Sequence, residues 1–272
     1  MPANPIVTLL SDFGLSDVYV GVMKGAIAQV NPALTIIDLT HLIPPQDIAA
    51  ARFNLMEAYP YFPHGTVHVA VVDPGVGSDR RAIALQLDTG FLVGPDNGLF
   101  SGVLSQTNVI AAVELTNSHY WRTATPSTTF HGRDIFAPVG AHLASGIPIT
   151  ALGDAIAPET LVQFKLPERI LTDRGIVGCI QYIDRFGNLV TNIPAADVRE
   201  KTWSVAVTES LSLTLHERMI PSSQTYSDRL LGEAVALIGS HGWVEIAVNG
   251  GSAQSQLQMA VGASVEVLLA EQ

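Results

Sequence analysis

The sequence predicts an α/β domain followed by a smaller all-β domain, and three observations carry that prediction. Over the first half, short β-rich apolar runs alternate with helix-compatible segments, the pattern of strands joined by helical crossovers. From Arg174 onward the helical segments give way to short strands separated by turns, which reads as a barrel or sandwich. The chain has 272 residues, 47% of them hydrophobic and 14% charged, enough to bury one large core and a second, smaller one. The expected division is residues 1–165 for the α/β domain with a mostly parallel sheet, 166–174 for a linker and 175–272 for the β domain.

Each element follows from its own pattern. "IVTLL" reads as a strand and delivers Asp12 just beyond its end. "DVYVGVMKGAIAQV" reads as a helix with Val18, Val22, Ile27 and Val30 on its buried face, stopped at Asn31-Pro32 because the residue before proline is steered away from helical angles. "LTIIDLT" is a second strand, and "DIAAARFNLMEAY" a second helix whose first amides Asp47 is placed to cap. "TVHVAVVD" is a third strand, ending on Asp73. After "AIALQL" and "GFLVGPDNGLFSGVL" come shorter strands and a Thr/Ser-rich approach to "TFHGRDIFAPVGAHLASG", whose second half is helix-like. Beyond it, "RGIVGCIQYID", "WSVAVTESLSLTLHE", "AVALIGSHGWVEIAVNGG" and "ASVEVLLA" read as the strands and turns of the β domain.

Composition excludes several function classes. A formal net charge of -11 opposes nucleic-acid binding, which depends on Lys and Arg displacing counterions from phosphates. Cys179 is the only cysteine, so neither an intrachain disulfide nor a cysteine zinc cage is available, and its apolar surroundings mark it as strand core. The eight histidines are scattered without HxH or HxxxH spacing, so no metal site is expected. The N-terminus lacks a basic flank followed by a long apolar stretch, and no run reaches the roughly 18 apolar residues of a membrane span. The expected location is the cytoplasm.

In parallel sheets, ligands gather beyond the carboxyl ends of strands. Five acids sit at such ends: Asp12, Asp38, Asp73, Asp96 and Asp184. Asp38 and Asp96 read first as turn or cap residues. Asp73 heads "DPGVGSDRR", whose glycine turn folds the chain back and brings Arg80 or Arg81 beside the carboxylate as a counter-ion. "TFHGRD" adds His131, with Gly132 behind it leaving room for a ligand against the backbone. "DPGVGS" and "VNGGSA" match neither a P-loop nor a dinucleotide fingerprint.

Taken together, "TLLSDFGLSDVYVGVMKG", "VHVAVVDPGVGSDRR", "VGPDNGLF", "TFHGRDIFAPVGAHLA", "YIDRFGNLVTNI" and "GWVEIAVNGGSA" resemble, in the same order along the chain, the S-adenosylmethionine hydroxide adenosyltransferase family. This is the hydrolytic relative of the S-adenosylmethionine (SAM)-dependent fluorinases and chlorinases. The resemblance implies an N-terminal α/β domain, a C-terminal β-barrel and a homotrimer with sites between neighbouring subunits. It implies hydrolysis of SAM to adenosine and L-methionine by attack at ribose C5′, with no cofactor or metal. Motif matching puts the catalytic Asp, Arg and His on Asp73, Arg80 and His131. It puts Asp12 on the ribose hydroxyls, Asp17 on the methionine amino group, Ser240 on the methionine carboxylate, and Phe130 and Gly132 beside C5′. Asp184, Phe186 and Asn188 fall at the adenine and ribose.

Two departures bear on specificity. Where the halogenases carry an arginine after the serine, this chain has His241. Where the fluorinase pattern has a tyrosine, this chain has Asp73, whose fixed anion would repel halide. Gly132 is shared with the chlorinase pattern, so a chlorinase-like halogenase is one alternative, and a SAM- or adenosine-binding protein with negligible turnover is another.

Overall fold

β-branched and apolar runs form the strands, and helices return the chain between the first three of them. The computed structural model describes residues 5–198, 202–211 and 214–270. Its first unit, Met1–Phe164, runs β1 (Ile6–Ser11), α1 (Tyr19–Val30), β2 (Thr35–Thr40), α2 (Ile48–Ala58), β3 (Thr66–Val71), β4 (Ala82–Leu87), β5 (Gly90–Pro95), α3 (Ser101–Leu104), β6 (Val109–Glu114), α4 (Ala137–Ala144) and β7 (Asp154–Ala155). The strand order is β2-β1-β3-β5-β4-β6-β7. The sheet is mixed: β2, β1, β3 and β5 run parallel, whereas β4, β6 and β7 join antiparallel.

The parallel half positions the site. β3 is buried along its whole length, as a central parallel strand covered on both faces should be. It pairs with β1 in a register that sets Ser11 against Val71. The two chains therefore leave the sheet side by side, and Asp12 and Asp73 follow within two residues. Val7, Leu9, Val67 and Val69 pack with Met23, Ile27 and Val139 into one core cluster. α4 sits so close to β3 that a Cβ on Gly140 would lie 2.5 Å from Val69 Cγ2.

Helix α1 departs from the expected face. Val20, Met23, Ala26 and Ile27 are buried, while Val18 is 73% exposed and Val22 is also exposed. Val18 precedes the helix, and the buried i, i+3, i+7 stripe starts at Val20, so two valines fall on the outer face. The helix ends at Val30 with Asn31 as its C-cap, as the Asn-Pro stop requires. Asp47 caps α2, its Oδ1 accepting from the Ala50 amide at 2.8 Å.

The second unit, Lys165–Gln272, contains β8 (Ile170–Leu171), β9 (Gly175–Ile183), β10 (Leu189–Pro194), β11 (Trp203–Leu211), β12 (Thr214–Pro221), β13 (Ala234–Ile238), β14 (Trp243–Val248), α5 (Ala253–Leu257) and β15 (Ser264–Leu269). Ser212 and Leu213, inside the segment "WSVAVTESLSLTLHE", lie outside the described residues. The antiparallel order is β12-β11-β15-β9-β10-β14-β13, with β8 on β9. A bridge between Ser222 and Ala236 draws the two edges together into a near-barrel around Ile180, Val205, Val244 and Val265. β8 falls within residues 166–174, so that segment is partly built into the sheet rather than being only a connection. Cys179 is buried in β9. Among the described residues no helix is long and apolar enough to cross a membrane.

Candidate active site

The turn after β3 determines what Asp73 meets. The Val76 amide donates to the Asp73 carbonyl at 3.2 Å and the Ser78 amide to the Gly75 carbonyl at 3.1 Å, coiling the chain back on itself. Gly77 takes φ +77°, a backbone angle that favours glycine. Arg80 then faces Asp73: its Nε donates to Oδ1 at 2.9 Å and to Oδ2 at 3.0 Å, and its Nη2 to Oδ2 at 2.5 Å. Both side chains are largely buried, Asp73 at 5% and Arg80 at 10% exposure.

The same Nη2 lies 2.7 Å from His131 Nδ1. Guanidinium has only donors, so Nδ1 is assigned as the acceptor and the imidazole proton sits on Nε2. Burial and then the Arg80 charge push His131 below the ordinary imidazole range, against the opposing pull of Asp73 and Asp134. Arg80 is further held by the Phe136 ring, 5.2 Å from its Cζ. Arg81 points elsewhere, to Asp96 Oδ2 at 2.9 Å from Nε and to the Thr160 carbonyl at 2.6 Å. Arg80 is therefore the partner of Asp73, and Asp96 is a structural acid.

His131 is carried by an unusual turn. Gly132–Phe136 is π-helical before α4 begins, a local widening frequent at functional sites. Fully buried Asp134 fastens it, accepting from Arg122 Nε at 2.6 Å, Arg133 Nε at 2.7 Å and the Ser127 amide at 2.9 Å. Burial alone would raise this carboxyl, but those three donors hold it well below the usual carboxylate range.

These groups open onto a cavity of about 400 Å³, lined in part by Asp12, Gln46, Asp73, Phe130, His131 and Gly132. Phe13 and Tyr19 also line it and meet Phe130 in a three-ring cluster, with centroids 5.3 to 5.8 Å apart and planes tilted by 55 to 87°. Asp12 Oδ2 accepts from the Gln46 amide at 2.8 Å. Asp17, exposed before α1, is not among the lining residues. Asp38 pairs with Lys24 at 2.6 Å and with His41 at 3.1 Å. His41 in turn lies 2.7 Å from Ser11 Oγ. This Ser-His-Asp series is structural, because Ser11 is fully buried and its Oγ also accepts from the Phe13 amide.

The remaining predicted residues belong to the second unit. Asp184 Oδ1 accepts the Phe186 and Asn188 amides, each at 2.8 Å, and Oδ2 accepts Asn188 Nδ2 at 2.9 Å. The carboxylate thus organises the turn that leaves Phe186 76% exposed. Ser240 is exposed in the hairpin turn between β13 and β14. His241 beside it is engaged internally: Nδ1 accepts the Trp243 amide at 3.2 Å, and Nε2 lies 3.0 Å from buried Glu245. The carboxylate this ring meets is thus the chain's own Glu245. Sequence reading missed Phe13, Tyr19 and Gln46; the aromatic spacing "DFGLSDVY" and the turn "PPQD" were the available signals.

Fold and site define a two-domain protein, mixed α/β then antiparallel near-barrel, with a carboxylate, guanidinium and imidazole joined at the carboxyl edge of parallel strands. Residues 7–153 match the SAM hydroxide adenosyltransferase N-terminal domain and residues 178–266 the C-terminal domain of that family. The chain belongs to the SAM hydroxide adenosyltransferase family. It is 40% identical to an (R)-S-adenosyl-L-methionine hydrolase of Salinispora tropica, over 98% of this chain and 99% of that one. It is 30% identical to a fluorinase of Nocardia brasiliensis, over 97% of each chain. The crystal structure of a conserved protein from Thermotoga maritima matches with a TM-score of 0.87 at 34% identity, covering 96% of this chain and 99% of that one.

Proposed function

We propose that the protein hydrolyses S-adenosyl-L-methionine to adenosine and L-methionine. Water attacks C5′ in line with the C–S bond; the O–C5′ bond forms, the C5′–S electron pair returns to sulfur, and methionine leaves as a neutral thioether. The attacking water loses one proton. The observation that supports this reading most is the pair Asp73 and His131 at the cavity wall, joined through Arg80.

Asp73 retains lone pairs beyond those Arg80 occupies, so it can orient the water and accept its proton. Arg80 fixes that carboxylate and, through the same nitrogen, the ring of His131. Positioning the water in a site walled by three aromatic rings supplies effective concentration, and those rings suit a substrate bearing a cationic sulfur. No metal or cofactor is required, because the sulfonium already activates the leaving group. In this reading Asp12 takes the ribose hydroxyls, Asp17 the methionine ammonium and Ser240 the carboxylate, while Asp184, Phe186 and Asn188 serve the nucleoside and Phe130 and Gly132 flank C5′. The reading includes a homotrimer with sites at subunit interfaces and a cytoplasmic location. Leu15 and Leu42, each 68% exposed on the loops that flank Asp12, support coverage by another subunit.

Purified protein incubated with SAM in halide-free buffer is expected to yield adenosine and methionine in equal amounts by chromatography. A 5′-halogenated nucleoside on adding chloride would favour halogenation instead. Tight adenosine binding without turnover would favour a binding protein.

The pH dependence carries a sign. His131 is depressed, so it stays neutral to below the ordinary value of about 6.5 and accepts from Arg80 throughout the neutral range. Below its depressed pKa, Nδ1 takes a proton, loses the Arg80 hydrogen bond and places a second cation against the guanidinium. kcat/KM is therefore expected to hold down to pH 6.5 and fall at lower pH, with the acid limb altered in His131→Gln. An inflection at or above 6.5 in the wild type would rule out the neutral assignment.

A further inference from the structure

Gln46 has a backbone conformation that its residue type resists. Pro44–Asp47 forms a β-turn, with the Asp47 amide donating to the Pro44 carbonyl at 3.0 Å. Pro45 occupies the second position and Gln46 the third, where φ is +66°. This is a type II arrangement, whose third position calls for glycine or asparagine. Among the described residues Gln46 and Gln258 alone are non-glycine with positive φ.

The turn has two products. The Gln46 N–H, aimed by this conformation, donates to Asp12 Oδ2 at 2.8 Å and leaves Oδ1 for a ligand. A glycine would do that equally well with less strain. What glycine would lack is the side chain of an exposed residue that borders the cavity with Asp12, a side chain whose amide makes no hydrogen bond among the described residues. Strained residues of this kind persist where the surroundings hold them for a function.

We propose that Gln46 is a substrate-binding and specificity-determining residue, whose carboxamide engages the ribose diol beside Asp12. This rests on the reading of the cavity as an adenosyl site. A cis-diol offers two donors and two acceptors; a carboxylate supplies only acceptors, whereas an amide supplies both kinds. Asp12 and Gln46 together match the diol as Asp12 alone does not.

The test sets stability against binding. Gln46→Gly keeps the N–H to Asp12 and removes the strain, so its melting temperature is expected to equal or exceed that of the wild type. Its KM for SAM should rise about 3- to 10-fold, the loss of one hydrogen bond, with kcat little changed because the diol is remote from the breaking bond. Gln46→Asn, which tolerates positive φ but is one methylene shorter, should bind as weakly as the glycine variant. Calorimetry should show that the wild-type preference for adenosine over 2′,3′-dideoxyadenosine shrinks by the same factor in Gln46→Gly. An unchanged preference, or an unchanged KM, overturns the role of Gln46 alone. A wild type that binds no adenosine overturns the reading of the site itself.

Discussion

Asp73→Asn is expected to lower kcat for SAM hydrolysis by about 10²- to 10⁴-fold, the range associated with a positioned proton acceptor, while adenosine affinity changes far less. The substitution conserves shape but exchanges one acceptor oxygen for a donor. In the wild type both carboxylate oxygens accept from Arg80, at 2.9 Å for Oδ1 and 2.5 Å for the closer Oδ2 bond. Whichever way the amide turns, its NH₂ faces a guanidinium with nothing to accept it, or the water with no group to take its proton. The Arg80 guanidinium is then free to shift from His131, so the whole network loosens. Asp73→Ala is less informative, because it leaves a nearly buried cation unpaired and confuses chemistry with stability. Single-turnover measurement of adenosine formation, together with calorimetry of adenosine, checks the split. A variant within threefold of the wild-type kcat would remove Asp73 from the mechanism.

Much of this site was legible because it depends on where apolar runs stop. Asp12 and Asp73 follow strands whose β-branched composition marks them as central, and a parallel pairing then sets their tips together. The choice between Arg80 and Arg81 was not legible from spacing. It depends on the coil of "DPGVGS" and on Arg81 standing next to the start of β4, from which it reaches Asp96. The buried face of α1 was legible at Ile27 and Val30, which meet the core, but not at Val18 and Val22, because methionine and alanine positions compete with valines for that face. The π-helical turn under His131 had no periodic signal, since it arises from tertiary bonds to Asp134 contributed by Arg122 and Ser127. Gln46 was hidden for a different reason. "PPQD" announces a turn, but its strain appears only once the φ angle is known.

Gly77→Ala is expected to be the most damaging conservative change in the Asp73 loop, and Gly75→Ala provides its control. A methyl on Gly77 meets two obstacles together. The backbone there has φ +77°, which costs an alanine about 1–2 kcal/mol, and the added Cβ would overlap the Thr128 carbonyl oxygen. Backbone cannot rotate away as a side chain can, so the loop carrying Asp73 and Arg80 must separate from the segment carrying Phe130 and His131. The 2.7 Å contact between Arg80 and His131 spans those two segments and is the first to be lost. A misplacement of about 1 Å at a reacting centre costs about 10²-fold, so kcat should fall by that order, with a stability loss of about 2 kcal/mol in urea denaturation. At Gly75 the φ angle is negative, and the Cβ would sit 3.3 Å from Arg80 Cγ and 3.4 Å from Ser78 Oγ, atoms of side chains able to give by a few tenths of an ångström. Gly75→Ala should therefore cost only a few-fold in kcat. If the two variants turn over alike, contact between the loop and Thr128 is not what aligns Arg80 with His131, and the alignment must come from the Arg80 ion pair and the Phe136 ring alone.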